Sequence, residues 1–462
     1  VLNNMYLIYS NGRPTSVQEY NTPTEAVNVD KVLGIFGQDS WTVGRNLTLN
    51  LGVRFDHNTG TLPAQSTAGG PFVAARSIDE STPIKQNLVV WRTGASYDPM
   101  GNGKTAIKAS YSRYGLQVGI DRVLNVNPLQ SAFQTCPWTD PNGDGIAQAS
   151  EIAQAQCSGF PSTAIRYAGA NGPRWPYSDE VTAGIEREII KDMRIGVMYY
   201  HRTNRDQIGA RNTAAPPGAY APFMVSVPNG PNGPTPATVY NLLPAFNGLQ
   251  ANIVDNDPYL DTTYNGVELT AMKRLSQRWQ MTTGLTVGKN TGGLNGGGTG
   301  SGQIQPPTSG SDLNDPNATV FTNGIVGNDS KVAFRLSGSY RAPYDIVFAG
   351  SLISNTGYPY VSTYSVTRAL AAAAGVALTR SSQTIFLSNR GDERLPAVTL
   401  IDLRISRSFR FGTRRIEPTF DIFNLGNAST VTSLVSGVGS TYLAPTGIVS
   451  PRIMKVGFTV NF

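Results

Sequence analysis

The stretch "IVSPRIMKVGFTVNF" (residues 448–462) divides into two faces when read in steps of two. Met454, Val456, Phe458, Val460 and Phe462 share one face; Ile453, Lys455, Gly457, Thr459 and Asn461 share the other. Successive side chains of a β-strand point to opposite sides, so this period predicts a strand with one apolar and one largely polar face. The strand closes on an aromatic side chain, Phe462.

The same alternation recurs along the chain. In "RNLTLNLGVRFDH", Leu47, Leu49, Leu51, Val53 and Phe55 oppose Thr48, Asn50, Gly52, Arg54 and Asp56. In "RWQMTTGLTVG", Trp279, Met281, Thr283, Leu285 and Val287 oppose Gln280, Thr282, Gly284, Thr286 and Gly288. "KVAFRLSGSY", "TLIDLRIS" and "IEPTFDIFN" repeat it around Phe334, Leu403 and Phe420. Thirteen strands are expected, at about 30–42, 46–57, 87–98, 104–115, 178–189, 193–203, 262–273, 278–288, 331–341, 345–355, 397–410, 415–424 and 452–462. Residues 1–29 are expected to supply a fourteenth, and Pro418, mid-strand, is expected to mark a local bulge because proline has no ladder donor.

Composition narrows the class. Only 15% of the 462 residues are charged, against roughly 25% in soluble domains. Gly (49), Pro (30) and Tyr (20) are abundant, which suits turns and extended segments rather than helical bundles. The net charge of +6 forms no Lys/Arg block, so nucleic-acid binding by a basic face is not expected. No apolar run reaches the length of a spanning helix; the longest, "ALAAAAGVAL" (369–378), reads as a short loop helix. The first residue is Val1, with no signal-like stretch behind it, which reads as a processed chain or a fragment.

The connections decide the architecture. Short polar turns ("VGRN", "DPMGNGK", "EIIKDM", "RLSQR", "RAPYD", "FGTRR") alternate strictly with long Gly/Pro/Asn/Ser-rich segments at about 58–86, 116–177, 204–261, 289–330, 356–396 and 425–451. An outer-membrane barrel has this asymmetry, with short periplasmic turns and long extracellular loops. Strands of about ten residues suffice to cross the hydrocarbon layer when tilted. The expected fold is therefore an all-β transmembrane antiparallel barrel with lipid against its apolar face and a polar lumen. Trp41, Trp91 and Trp279 are expected near strand ends, where an interfacial aromatic belt lies.

Several segments resemble TonB-dependent outer-membrane receptors, in particular the Oar-like group that carries a carboxypeptidase-regulatory-like domain. They are "GIFGQDSWTVGRNLTLNLGVRFD" (34–56), "SDEVTAGIEREIIKDMRIGVMYYHRTNRDQ" (178–207), "YNGVELTAMKRLSQRW" (264–279), "PTFDIFNLGN" (418–427) and "VGFTVNF" (456–462). The resemblance implies a barrel of about twenty-two strands around an N-terminal plug. The chain, 1–462, then corresponds to the C-terminal part, with about fourteen strands and nothing resembling a plug or coupling box. It also implies an outer-membrane location, uptake of a ligand driven by the TonB complex through that plug, and recognition of the terminal strand ending in Phe462 by the barrel-assembly machinery. Two other readings stay open: an Oar-like surface protein for adhesion or assembly, and a self-contained pore.

Local motifs add candidates. "DPNGDGIAQASE" (140–151) has calcium-loop spacing: Asp140, Asn142 and Asp144 as side-chain donors, Ile146 by its carbonyl, Glu151 as the bidentate ligand and Gly145 at the sharp turn. Ala147 stands where a branched hydrophobe is usual, so a solvated Asp/Asn/Gly turn is the competing reading. Cys136 and Cys157 bracket the motif inside the large loop 116–177, and an oxidising compartment makes a disulfide the expected state. "DPMGNGKT" (98–105) lacks the first glycine of a phosphate loop and reads as a turn, and "GGLNGGGTGSG" (292–302) reads as flexible loop. His57 and His201 lie near no Ser or Cys nucleophile motif, Asp179 and Glu180 read as rim charges, and no enzyme is expected. Tyr358, Tyr360 and Tyr364 are candidate ligand contacts or ordinary loop packing.

Overall fold

A computed structural model describes residues 4–116, 119–160, 166–231, 233–293, 312–321, 323–326 and 329–462. Most of the glycine run at 292–302 lies outside the described residues. One antiparallel sheet dominates. Its thirteen long strands are β1 (Val29–Val43), β2 (Leu47–Leu62), β3 (Ser81–Tyr97), β4 (Thr105–Gly115), β5 (Tyr177–Ile190), β6 (Met193–Arg205), β7 (Thr262–Ser276), β8 (Trp279–Gly293), β9 (Val332–Arg341), β10 (Ile346–Asn355), β11 (Val398–Arg407), β12 (Arg414–Phe423) and β13 (Ile453–Asn461). Each pairs with its neighbours in chain order, and two short pieces, Asn323–Ile325 and Phe409–Phe411, extend the ladder. Each long strand overlaps one of the thirteen expected. β1 and β13 are the two edges and share no ladder among the described residues.

The short turns close on residues in the left-handed region: Gly44 (φ 63°), Gly103 (φ 70°), Asp192 (φ 65°), Arg278 (φ 73°), Tyr344 (φ 63°) and Gly412 (φ 62°). Such turns match the right-handed twist of the strands they join, which sets a tight hairpin at this end. Asp98 organises one of them by accepting from the Met100 and Gly103 amides, so "DPMGNGKT" is a turn, as its sequence predicts.

Register places the apolar residues on one face throughout. Leu285 pairs with Leu269, Leu269 with Val197, Val197 with Ile185 and Ile185 with Ile107. Val456 pairs with Phe420, Phe420 with Ile405 and Ile405 with Phe348. These side chains point away from the polar face and, apart from the half-buried Leu285, are exposed: Val456 is 80% accessible, and its face-mate Phe458 77%. The buried apolar side chains lie elsewhere. Among those described, only Leu62 and Ile84 belong to the thirteen strands, both at the long-loop end. The rest pack in the connections, in clusters around Val123 and Trp175, around Val227, Val239 and Val366, and around Val17 and Trp138. The wall is thus apolar outside, and the loops carry water-soluble cores of their own.

Three sequence expectations change. Residues 5–20 add no fourteenth strand: Met5–Ser10 and Arg13–Tyr20 pair with each other and with Phe133–Pro137 in a separate three-stranded sheet. Pro418 makes no bulge. It pairs in register with Phe458 on one side, and on the other the ladder is interrupted between Ser406/Thr419 and Phe409/Ile416, where a donor would be needed. Trp91 sits within β3 rather than at its end, because β3 starts at Ser81, beyond the expected lipid span. Trp41 and Trp279 do flank short turns.

This face assignment makes a direct prediction. Leu269→Arg, on the outward face of a central strand, should destabilise the protein in lipid by about 2–4 kcal/mol. Thr270→Arg, one residue on and facing inward, should cost less than about 1 kcal/mol. Urea titration of folding into vesicles reads both; equal losses would refute the assignment.

Candidate functional site: the polar wall and the outer loops

The inward face carries cross-strand ion pairs. Lys108 of β4 meets Glu186 of β5 at 2.9 Å, and Arg194 of β6 reaches the same carboxylate at 3.7 Å. Farther along β6, Arg202 donates to Glu180 at 2.8 Å and Tyr200 donates to Glu268 of β7 at 3.1 Å. Arg404 of β11 grips Asp421 of β12 with two nitrogens, the second bond being 3.1 Å. Opposite charges placed across a ladder, directly for Glu180/Arg202 and Arg404/Asp421 and diagonally for Lys108/Glu186, stabilise the pairing and leave the face polar without a single-sign field. The Tyr264 ring lies over the paired glycines Gly266 and Gly288, where an added Cβ would come within 2.2 and 2.6 Å of its hydroxyl. A cavity of about 730 Å³ lies along this wall, with Thr282, Ser337, Ser339, Ser351, Arg404 and Asp421 among its lining. Hydroxyls and internally neutralised charges give a surface that water wets.

The rival readings of several residues resolve here. Asp179 and Glu180 are adjacent and therefore on opposite faces. Asp179 pairs with Arg113 at 2.7 Å, while Glu180 holds Arg202, so they form no dyad. Arg113 stacks between Trp91 and Tyr177, at 4.3 and 4.0 Å from the ring centroids. His57 and His201 bond the Oδ1 atoms of Asn87 and Asn265.

The long connections fold against one another. The hairpin Tyr220–Gly230/Gly233–Leu242 buries Val225, Val227 and Val239 against Tyr364, Val366, Ala371, Leu378 and Ile385. Tyr364 is therefore loop core, whereas Tyr358 is exposed. The apolar run at 369–378 overlaps a short helix, Arg368–Ala373, as expected. Arg380 bonds the fully buried Asp315 at 2.5 Å, and Asn317 exchanges bonds with the backbone of Tyr240 at 2.8 and 2.9 Å. Burial pushes the Tyr220 phenol up to about 12, with Asp315 and Asp312 adding to the effect. It also raises the Asp312 carboxyl, despite amide donors from Asn212 and Asn314.

Cys136 and Cys157 are joined by a disulfide. Beside it the fully buried Glu19 accepts from Gln134 and Gln154, both at 2.7 Å, so residues on each side of the bridge share one carboxylate. Glu19 was not legible as a site residue; it sits in an ordinary strand alternation far from both cysteines in sequence. The bridged cysteines are not free thiolate donors, so their grouping with Glu19 is no metal set. In the 140–151 segment, Asp140 accepts from Gly143 and Gly145 at 2.8 and 2.9 Å, and Asp144 accepts from Ile146 at 2.8 Å. Asn142 donates to Asp144 at 3.2 Å. Ile146 is exposed at the turn's end. Glu151 is held by the Gln148 amide and the Trp138 indole at 3.2 and 3.5 Å. The structure brings Asp140, Asn142 and Asp144 into one turn, and does not gather Glu151 with the two aspartates within ligand range.

Residues 8–351 match the outer membrane beta barrel domain family, and the chain belongs to it. It is an outer-membrane β-barrel protein, its long connections extracellular and its short turns periplasmic. Over 217 residues it is 25% identical to the TonB-dependent transporter Oar of Myxococcus xanthus, which covers 42% of this chain and 19% of that protein. Among solved structures it is similar to the siderophore receptor PiuA of Acinetobacter baumannii (TM-score 0.48, 12% identity, 97% of this chain and 44% of that one). It is also similar to the ferric yersiniabactin uptake receptor FyuA of Yersinia pestis (TM-score 0.47, 10% identity, 98% and 48%). The chain thus spans about a fifth of the length of Oar and less than half of either receptor.

The staple has a measurable consequence. Replacing both Cys136 and Cys157 by serine should weaken the loop sheet by about 3 kcal/mol, from the entropy of the loop they close. Hydrogen exchange at residues 133–137 should accelerate accordingly while β7 and β8 keep their protection; unchanged exchange would show the bridge to be dispensable.

Proposed function

We propose that this chain forms the wall and outer loops of a TonB-dependent receptor-like transporter that takes up a ligand across the outer membrane. The observation that carries this reading is the continuous, ion-paired polar face beneath loops that fold as a packed unit. The partial identity to Oar supports it. The unpaired edges β1 and β13 favour a wall belonging to a larger barrel over a self-contained pore, because in lipid an open edge leaves backbone groups unsatisfied at several kcal/mol each. Coupling to the TonB complex then runs through a plug, which no stretch of this sequence resembles, and insertion runs through the terminal strand ending at Phe462.

The test uses the natural full-length protein in its own outer membrane. Mass spectrometry of the growth medium should find a solute depleted by expressing cells, with depletion abolished by a protonophore. If nothing is depleted and cell–cell contact is lost on deletion, the loops serve adhesion and the transport reading fails.

For the loop at 140–151 we propose calcium as a structural ligand, with Asp140, Asn142, Asp144 and the Ile146 carbonyl as donors and Glu151 swinging from Trp138 to complete the set. Calorimetry should register saturable calcium binding by wild type and its loss in Asp144→Ala. No heat with wild type would leave the segment an ordinary hydrogen-bonded turn.

A further inference from the structure

Two of the long connections are joined along a short seam. The strand Ile208–Asn212 forms one side of it and residues 312–314 form the other. The Leu313 amide donates to the Ala210 carbonyl at 3.2 Å, the Asn314 side chain donates to the Asn212 carbonyl at 2.9 Å, and the Asn212 amide donates to the Asp312 carboxylate at 3.1 Å. Gly209 leaves room for the Leu313 side chain, since a Cβ there would lie 2.4 Å from its Cδ1.

The seam encloses a carboxylate that has no cation of its own. Asp312 is 4% exposed, and its Oδ1 takes two backbone amides, that of Asn212 and, at 2.9 Å, that of Asn314. It enters no ion pair among the described residues. Asp315, three residues on, is fully buried and brings a second negative charge, which Arg380 binds at 2.5 Å. Arg380 also donates to Gln383 at 3.0 Å and lies 5.8 Å from the centre of the Tyr220 ring. The hairpin at 220–242 sets the Tyr220 phenol beside the two aspartates, the strand Ser382–Phe386 carries no charge, and Arg211 of the strand Ile208–Asn212 is bound to Asp257. Two buried carboxylates thus share one guanidinium. Burial raises the Asp312 pKa; the two amides oppose that rise and the Asp315 charge adds to it.

We propose that Asp312 is a proton-operated latch between these two extracellular connections: protonated, it holds residues 312–314 against the strand Ile208–Asn212, and ionised, it lets the seam part. The enclosed carboxyl holds its proton more tightly than a solvated one, so the seam takes up a proton as it closes. Its stabilisation by Asp312 is complete below the ordinary carboxylate range and is lost as pH rises through the raised value. The Arg380–Asp315 pair and the valine core hold the rest of the outer assembly, so the opening is confined to the seam. The latch works whatever the loops capture.

Hydrogen exchange of the purified full chain in non-ionic detergent tests this, at the amides of Asn212, Leu313 and Asn314 and corrected for the intrinsic pH dependence of exchange. Their protection should fall roughly threefold or more between about pH 4 and about pH 8, while amides of β7 and β8 stay constant. Tyr220, whose phenol is pushed up to about 12, stays protonated throughout. Asp312→Asn, neutral and still able to accept the two amides, should keep the low-pH protection across the whole range. Arg380→Gln, which removes the shared cation, should move the loss of protection to lower protonating strength, that is to higher pH, and supplies the comparison if Asp312→Asn does not fold. Constant protection in the wild type, or a profile that Asp312→Asn leaves unaltered, overturns the proposal. So does an equal change in β7 and β8, since the response would then belong to the whole wall.

Discussion

Within hydrocarbon, each backbone N–H and C=O of this wall must find its partner in the next strand, since no water is available to take its place. That constraint explains why the thirteen strands pair in strict chain order and why their hairpins are so short at one end. It explains the treatment of Pro418 as well. Pro418, which cannot donate, is aligned with an interruption in the β11–β12 ladder, while its pairing with Phe458 is intact. With backbone pairing settled by the sheet, the side chains are free to sort by solvent. Leu269, Ile405 and Val456 go to the acyl chains, and Lys108, Glu186 and Arg404 go to the interior.

The wall was legible in the sequence because both of its signals are local. A period of two needs only a few consecutive residues to be read, and the left-handed turn residues are mostly Gly, Asn or Asp with distinctive neighbours. The register of Leu285 against Leu269 is set by the hairpin at Gln277 and Arg278 together with a one-residue shift between Lys273 and Ser276. The loops were opaque for the opposite reason. Glu19 becomes a site residue only through Gln134 and Gln154, more than a hundred positions away, and nothing near Glu19 announces them. Likewise Asp312 meets Asn212 through a seam between two connections that no local pattern encodes.

Residues 5–20 show how a sound local reading can go astray. Their alternation is that of a strand, and they do form strands, but Arg13–Tyr20 pairs with Phe133–Pro137 above the wall instead of joining it. Periodicity reports that a segment is extended with two different sides; it does not report whether the apolar side meets lipid or another loop. Burial does report it. Val17 is fully enclosed, while Phe458 and Val456 are bare.

The shared core between the 220–242 hairpin and the 363–386 segment has a mechanical implication. With Val227 and Val239 wedged against Val366, and Arg380 latched to Asp315, neither loop can swing aside like an independent flap. Displacing one of these segments therefore drags the other with it. Hydrophobic packing among a few valines, more than the length of any individual loop, then sets the stiffness of this outer assembly.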